Sequence, residues 1–140
     1  MPEAIPDQES PKPPALPSNF KPWGTDLRTF AMLMHLAQFL GGLGVILIIV
    51  MWATNKEQSA FIDNQGRAIL RWHLTLVICF FSCAVLCFMC LACIAIPMVV
   101  GLVICSVVFA ILGAIKANEG KVWKYPLSIP FFAVDTTVTA

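Results

Sequence analysis

Long apolar stretches divide the chain into two segments of membrane length, with a polar linker between them. From Thr29 to Asn55 the sequence holds no Asp, Glu, Lys or Arg, and from Trp72 to Ile115 it again holds none. A helix rises about 1.5 Å per residue and a bilayer core is about 30 Å thick, so the first segment suffices for one slightly tilted crossing. The second, at roughly 65 Å, is too long for one crossing and is predicted to fold back as a helical hairpin.

The break in this hairpin is predicted at Ile96-Pro97, because proline lacks an amide donor and disfavours helix in the residue before it. The predicted fold class is therefore an all-α membrane protein with three transmembrane helices, one single span plus a helical hairpin. The spans are expected at about 29–53, 69–95 and 97–116, within a transmembrane helical domain of residues 29–132 that leaves a carboxy-terminal tail, 133–140.

Three glycines in the first segment, Gly41, Gly42 and Gly44, suggest a rival topology. A break there would make a re-entrant hairpin and would bring the amino-terminal tail to the side of the carboxy terminus. Charge favours this version, because all nine Lys and Arg then share one side. Length favours three crossings, because the 27 residues from 29 to 55 are too few for two full crossings. Three crossings are the prediction, and the re-entrant hairpin is the alternative.

Composition supports a membrane protein and excludes other classes. Hydrophobic residues make up 59% of the chain and charged residues 12%, about half the charge of a soluble domain. A net charge of +1 without a basic cluster excludes a nucleic-acid partner. Seven of the ten prolines fall in residues 1–28, which predicts a disordered tail. This tail lacks the patterns of a signal or transit peptide.

With three crossings, six basic residues fall on the side of the carboxy terminus and three on the side of the amino terminus. The positive-inside rule then predicts a multi-pass membrane protein with a cytoplasmic carboxy terminus and an amino terminus on the opposite side. Aromatic and basic side chains near the segment ends are predicted to anchor the chain at the interface: Trp52, Arg71, Trp72, Lys116, Lys121, Trp123, Lys124 and Tyr125.

Local signals predict where two helices begin and end. Asp63 is the expected N-cap of the second helix, with Ser59 as the alternative if the helix starts early. Gly120 is expected to end the last helix in a left-handed turn.

Three stretches carry a family resemblance: FAMLMHLAQFLGG (30–42), FIDNQGRAILRWHLTL (61–76) and GAIKANEGKVWKYPLSIPFF (113–132). They resemble small bacterial membrane proteins of domain-of-unknown-function family 4870, which is distantly similar to the multispan subunit of the chloroplast inner-envelope import translocon. The resemblance covers about residues 29–132 and implies a protein of the bacterial inner membrane, without an agreed activity, whose amino terminus would then be periplasmic. Arg71-Trp72 departs from the Asn-Phe that is usual in that family.

Small side chains recur along single helix faces. Such faces allow close helix contact in membranes, so they are predicted to pack helices within the protein or to form a partner interface. These residues are Ala37, Gly41, Cys79, Cys83, Cys87, Ser106, Ala110, Gly113 and Ala114. Cys90 and Cys93 form a C-x-x-C pair, whose alternative role is thiol–disulfide chemistry. Hydrocarbon disfavours the thiolate that this chemistry needs.

His35 and Gln38 lie one turn apart and, with His73, are candidates for a polar site within the membrane. A hydrogen bond between helices is the favoured role for His35 and Gln38. Haem ligation by both histidines is disfavoured, because three crossings would place them roughly 20 Å apart along the membrane normal. We predict no cofactor, metal or catalytic residue.

These observations favour a non-enzymatic accessory or assembly subunit of a larger membrane complex, embedded in the lipid bilayer. Its partner would be another membrane protein or a second copy, because three helices leave much apolar surface uncovered. Two alternatives remain, an oligomeric translocation or channel component and a membrane thiol oxidoreductase that uses Cys90 and Cys93.

Overall fold

A computed structural model describes residues 20–89 and 91–140. After a 3-10 turn at Pro22–Gly24 come four α-helices: α1 (Leu27–Leu36), α2 (Gly42–Asn55), α3 (Ala60–Phe88) and α4 (Ala92–Asn118). A 3-10 helix, Ala37–Leu40, joins α1 to α2. Both α3 and α4 are long and apolar enough to cross a membrane, which confirms the predicted all-helical membrane class. Most of the predicted disordered tail lies outside the described residues, but its last part forms the 3-10 turn and the start of α1.

The predicted first span is divided in two, which corrects the expectation of one unbroken helix. Gly41 breaks it with φ 62° and ψ −134°, a conformation that residues with a side chain rarely adopt. A Cβ on Gly44 would collide with the carbonyl oxygen of Ala37, so this glycine lets α2 start directly against the preceding turn. By helical rise, α1 is about 15 Å long and α2 about 21 Å. Neither length spans a bilayer core of about 30 Å.

The first segment therefore enters the bundle part of the way and returns, as in the re-entrant alternative. Arg28 at the start of α1 donates from Nη2 to the Ala140 carbonyl oxygen at 3.0 Å. At the return, Trp52 near the end of α2 donates from Nε1 to Oδ1 of Asp63 in α3 at 2.9 Å. The start of α1, the end of α2, the start of α3 and the end of α4 lie at one end of the bundle. In the structure the chain just before α1 and the chain just after α4 therefore lie at the same end of the bundle, and the side of the membrane that each terminus faces stays a prediction.

The hairpin between α3 and α4 turns earlier than predicted. Helix α3 ends at Phe88 and α4 starts at Ala92, with Leu91 N–H donating to the Leu86 carbonyl oxygen at 3.0 Å. Pro97 lies inside α4, in its second turn. Its fixed φ suits a helix, and its missing N–H removes only one bond near the helix start. The break predicted at Ile96-Pro97 is therefore wrong.

The ends of the long helices follow local chemistry. Ser59 rather than Asp63 caps α3, with Oγ accepting from the Ile62 N–H at 3.3 Å. After α4, Gly120 has φ 77°, as predicted. The chain then runs back across the same end of the bundle, where the Ala140 N–H donates to the Gly120 carbonyl oxygen at 3.0 Å.

The core lies at this end of the bundle, where Phe30, Phe61, Trp72 and Tyr125 are each at most 2% exposed. Further along α3 and α4, large apolar side chains face outward. Only 28% of the most apolar stretch of α3 and 17% of that of α4 is buried. The core helix of a soluble protein would be mostly buried, so these surfaces suit lipid.

Candidate functional site

A buried polar network joins α1, α3 and the segment after α4. His35 is fully buried, with Nδ1 3.0 Å from the Tyr125 hydroxyl and Nε2 2.9 Å from Oε1 of Gln65. Gln38 donates from Nε2 to the same hydroxyl at 3.0 Å. Gln65 donates from its own Nε2 to the Lys121 carbonyl oxygen at 2.8 Å.

The network has one consistent direction. Because the Gln65 amide oxygen only accepts, Nε2 of His35 carries the ring proton, and Nδ1 accepts from the Tyr125 hydroxyl. The Tyr125 oxygen in turn accepts from Gln38. Burial raises the pKa of Tyr125, so its hydroxyl keeps the proton that it donates. Both ring nitrogens of His35 therefore have hydrogen-bond partners, so the network suits a structural role in holding the helices together.

Aromatic rings and a glycine hold the network in place. Trp72 stacks on Tyr125 with centroids 5.6 Å apart and an angle of 8° between the planes. Phe109 packs against both rings in an edge-to-face arrangement. A Cβ on Gly113 would collide with the imidazole of His35, so glycine allows α1 to lie close against α4.

Arg71 fastens the chain after α4 to α3. This side chain is 5% exposed and donates from Nη1 to the Phe132 carbonyl oxygen at 3.0 Å and from Nη2 to the Ser128 hydroxyl at 3.2 Å. One turn along α3, the Thr75 hydroxyl oxygen accepts from the Ile129 N–H at 3.0 Å. The segment after α4, residues 119–140, is called the returning segment below. It is bound to α3 by these three hydrogen bonds, two of which use its backbone.

An apolar cleft of about 510 Å³ opens beyond the network, between the α1–α2 turn and helices α3 and α4. Its polar lining includes Gln38, His73 and Ser106 among aliphatic side chains. His73 donates from Nδ1 to the Ile69 carbonyl oxygen at 3.1 Å, which leaves Nε2 as an acceptor in the neutral ring. Of the three polar residues predicted within the membrane, His35 belongs to the buried hydrogen-bond network and His73 lines the cleft. Gln38 belongs to both.

Several predicted anchors lie inside the protein instead of at the interface. Arg71, Trp72 and Tyr125 are buried in the contacts described above, which corrects their assignment. Trp52 and Trp123 are half-buried. The end of the bundle where α3 starts and α4 ends is called the charged end below, and Lys116, Lys121 and Lys124 lie there. Gln65 was not singled out from the sequence, although its spacing to Ile69 and Trp72 places all three on one helix face.

Small residues of α4 lie against α1. Ala110, Gly113 and Ala114 are buried, with Gly113 against His35 of α1, and Ala110 also lines the cleft beside the half-buried Ser106. Ala37 is buried, and Gly41 is exposed at the break.

The cysteines of α3 differ in burial along the helix. Cys83 is buried, Cys79 is half-buried and Cys87 is exposed. Cys93 is exposed at the start of α4, and Cys90 lies outside the described residues, so the geometry of the C-x-x-C pair stays a prediction. Among the described residues no cluster of three or more His, Cys, Asp or Glu could hold a metal ion.

A helical membrane protein with one charged, internally bonded end and one apolar end is the class that these features define. The sequence model of the magnetosome magnetite crystal formation protein family (MamF/MmsF) matches residues 26–132. The chain belongs to this family.

This family membership overturns the resemblance to domain-of-unknown-function family 4870 and to the chloroplast translocon subunit, which is wrong. The motifs at residues 61–76 and 113–132 lie within the matched range. Comparisons with curated proteins and with solved structures gave no match.

Proposed function

We propose that this protein is a non-enzymatic accessory subunit in magnetite crystal formation, held in the magnetosome membrane and packed against a membrane partner. Family membership supports the process. The observation that carries the accessory role is the cleft beside His73 and Ser106, which is an open, mostly apolar surface at membrane depth.

The cleft suits a helix of a membrane partner. Helices associate in lipid through small side chains that allow close approach and through interhelical hydrogen bonds. Ser106 offers the small side chain, and Nε2 of His73 offers an acceptor to a donor on the partner. Gln38 is already bonded to Tyr125, so it fixes the edge of the cleft.

The charge distribution supports one orientation in the membrane. The described Lys and Arg all lie in segments at the charged end: Lys21, Arg28, Lys56, Arg67, Arg71, Lys116, Lys121 and Lys124. The positive-inside rule supports a cytoplasmic location for this end. The apolar turn between α3 and α4 then points to the opposite leaflet.

A bulky side chain in the cleft tests the proposal. In a magnetite-forming bacterium whose own copy is deleted, we expect altered crystal number or size, restored by the wild-type chain. Ser106→Phe should fail to restore the crystals and should lose crosslinking to the partner, because the phenyl ring fills the cleft. Val108→Phe is the matched control, since it adds the same ring on an exposed site of α4 outside the cleft lining.

Two results would contradict parts of the proposal. Normal crystals in the deletion strain would remove the role in crystal formation. A folded Ser106→Phe protein that restores wild-type crystals would remove the cleft as the partner surface. A third variant, with Cys90 and Cys93 both replaced by Ser, should restore the crystals, and its failure would favour thiol chemistry instead.

The channel alternative has no observation in its favour. It depended on the translocon similarity, which is wrong, and on His35 and Gln38, whose side chains bond to Gln65 and Tyr125.

A further inference from the structure

A second groove opens at the charged end, between the end of α2, the start of α3 and the returning segment. Its volume is about 530 Å³, and it is lined by Trp52, Lys56, Arg67, Leu70, Leu74 and Phe132. We propose that this groove binds one anionic phospholipid of the surrounding membrane. The headgroup phosphate lies at Lys56 and Arg67, and an acyl chain runs along Leu70 and Leu74.

The rim of the groove carries a positive charge that its own residues leave unneutralised. Arg67 pairs through Nε with Oδ2 of Asp63 at 2.9 Å, and the other oxygen of Asp63 accepts from Trp52. Lys56 lies over the Trp52 ring, 4.9 Å from its centroid, and none of the ion pairs among the described residues includes it. Of the two cations at the rim only Arg67 has a carboxylate partner among the described residues, so the positive charge of Lys56 is left for an anionic headgroup.

The apolar lining continues from the charged rim in the direction that a lipid chain needs. Arg67, Leu70 and Leu74 follow at spacings of three and four residues, so they lie on one face of α3 on successive turns. Leu74 is 38% exposed although it lines the groove. Charge at the shallow end and leucine at the deep end match a headgroup and its acyl chain.

The opposite wall is held in place. Phe132 lies on the returning segment, and its carbonyl oxygen accepts from Arg71 at 3.0 Å. The groove is therefore built from three bonded parts of the chain: α2 through Trp52, α3 through Arg67 and the segment held by Arg71.

A phospholipid fits this groove better than a second copy of the chain. Another copy with its charged end at the same depth would bring its own basic residues to a basic rim, and like charges repel. Free phosphate would satisfy Lys56 and Arg67 but would leave Leu70 and Leu74 uncovered.

Lipid retention by the full chain tests this site. The purified protein is exchanged into an equimolar mixture of phosphatidylglycerol and phosphatidylcholine with identical acyl chains, and bound lipids are counted by native mass spectrometry. We expect one phosphatidylglycerol to be retained in preference. Lys56→Gln with Arg67→Gln should lower its retention roughly thirtyfold, as expected when two basic contacts to an anionic lipid are lost.

Two matched controls separate a site from general surface charge. Lys121→Gln with Lys124→Gln removes the same charge at the same end outside the groove, and retention should change less than twofold. Leu70→Trp keeps both cations and fills the groove, so it should also lower retention. Ile104→Trp adds the same ring on an exposed site of α4, which contributes no residue to the groove lining, and should leave retention unchanged. Because Leu70→Trp leaves the ion pair of Arg67 intact, it tests the site even if the double charge variant fails to fold.

Four results would each overturn the proposal. They are equal retention of the two lipids, equal loss in the Lys121 and Lys124 variant, full retention by folded Leu70→Trp, and displacement of the lipid by an equal concentration of glycerol phosphate. The last result would identify a soluble phosphate ester as the occupant. None of these outcomes depends on magnetite formation, so the site and the proposed function fail separately.

Discussion

The charged end and the apolar end of this bundle are held together by different forces. At the charged end, His35, Gln65 and Tyr125 make directed hydrogen bonds, and Arg71 fastens the returning segment to α3. Towards the other end, α3 and α4 present apolar side chains outward, and the sequence has no Lys, Arg, Asp or Glu from Trp72 to Ile115. Apolar contacts between helices have little advantage over contacts with lipid tails, whereas an unpaired polar group in lipid is costly. The charged end therefore specifies how the helices meet, and the apolar end supplies membrane insertion.

The largest expected effect concerns which residues share the charged end. In a variant whose native cysteines are replaced, single cysteines at Lys21 and Thr136 should react with a membrane-impermeant maleimide from the same side. Both positions are exposed and flank the returning ends of the bundle. Labelling in right-side-out and inside-out vesicles measures this, with a marker protein of known location on each side.

Opposite labelling of the two cysteines would restore the three-crossing topology. It would also remove the contrast between a charged end and an apolar end, because the basic residues would then be divided between the two ends of the bundle.

The next effect compares two glycines of α4. Gly113→Ala should lower the free energy of unfolding by about 3 kcal/mol, because the new Cβ collides with His35 and displaces it from buried hydrogen bonds. Gly101→Ala adds the same methyl group towards the apolar end, where nothing lies within 4 Å of the new Cβ. It should leave stability unchanged or raise it by up to about 1 kcal/mol, since Ala is the better helix former.

Denaturation in one detergent, followed by tryptophan fluorescence, compares the two glycine variants. Equal stability of the two would show that α1 does not lie closely against α4 through His35.

Hydropathy was sufficient for the helical membrane class, because charge-free stretches such as 72–115 leave no other means of burying the backbone in lipid. It was not sufficient for the path of the first segment. Length favoured a single span there, and charge favoured the break at Gly41 that the structure has. What decided between them is the pairing of His35 with Tyr125, ninety residues away, which no local pattern reveals.

The candidate site was predictable only in part, for the same physical reason. His35 and Gln38 stood out because polar residues are rare in apolar helices. Tyr125 and Arg71 were assigned to the interface because their positions beside charged residues are typical of anchors, yet both face inward. The turn after Phe88 has no glycine or proline in its described residues, so the sequence carried no break signal there, whereas Pro97 carried one that the helix tolerates.

The smallest expected effect is on stability, and it is seen by comparing two serines: Ser59 at the charged end of α3 and Ser82 towards its apolar end. Ser59→Ala removes the oxygen that accepts from the Ile62 N–H at the buried start of α3, and it should lower the free energy of unfolding by about 1 kcal/mol. Ser82→Ala removes a hydroxyl that only bonds back to the Ile78 carbonyl oxygen on an exposed face, so stability should change by less than about 0.5 kcal/mol. Hydrogen exchange at the first turn of α3 should rise in Ser59→Ala alone. If Ser82→Ala were the more damaging variant, polar bonds at the apolar end would contribute more than those at the charged end, and the division between the two ends would be wrong.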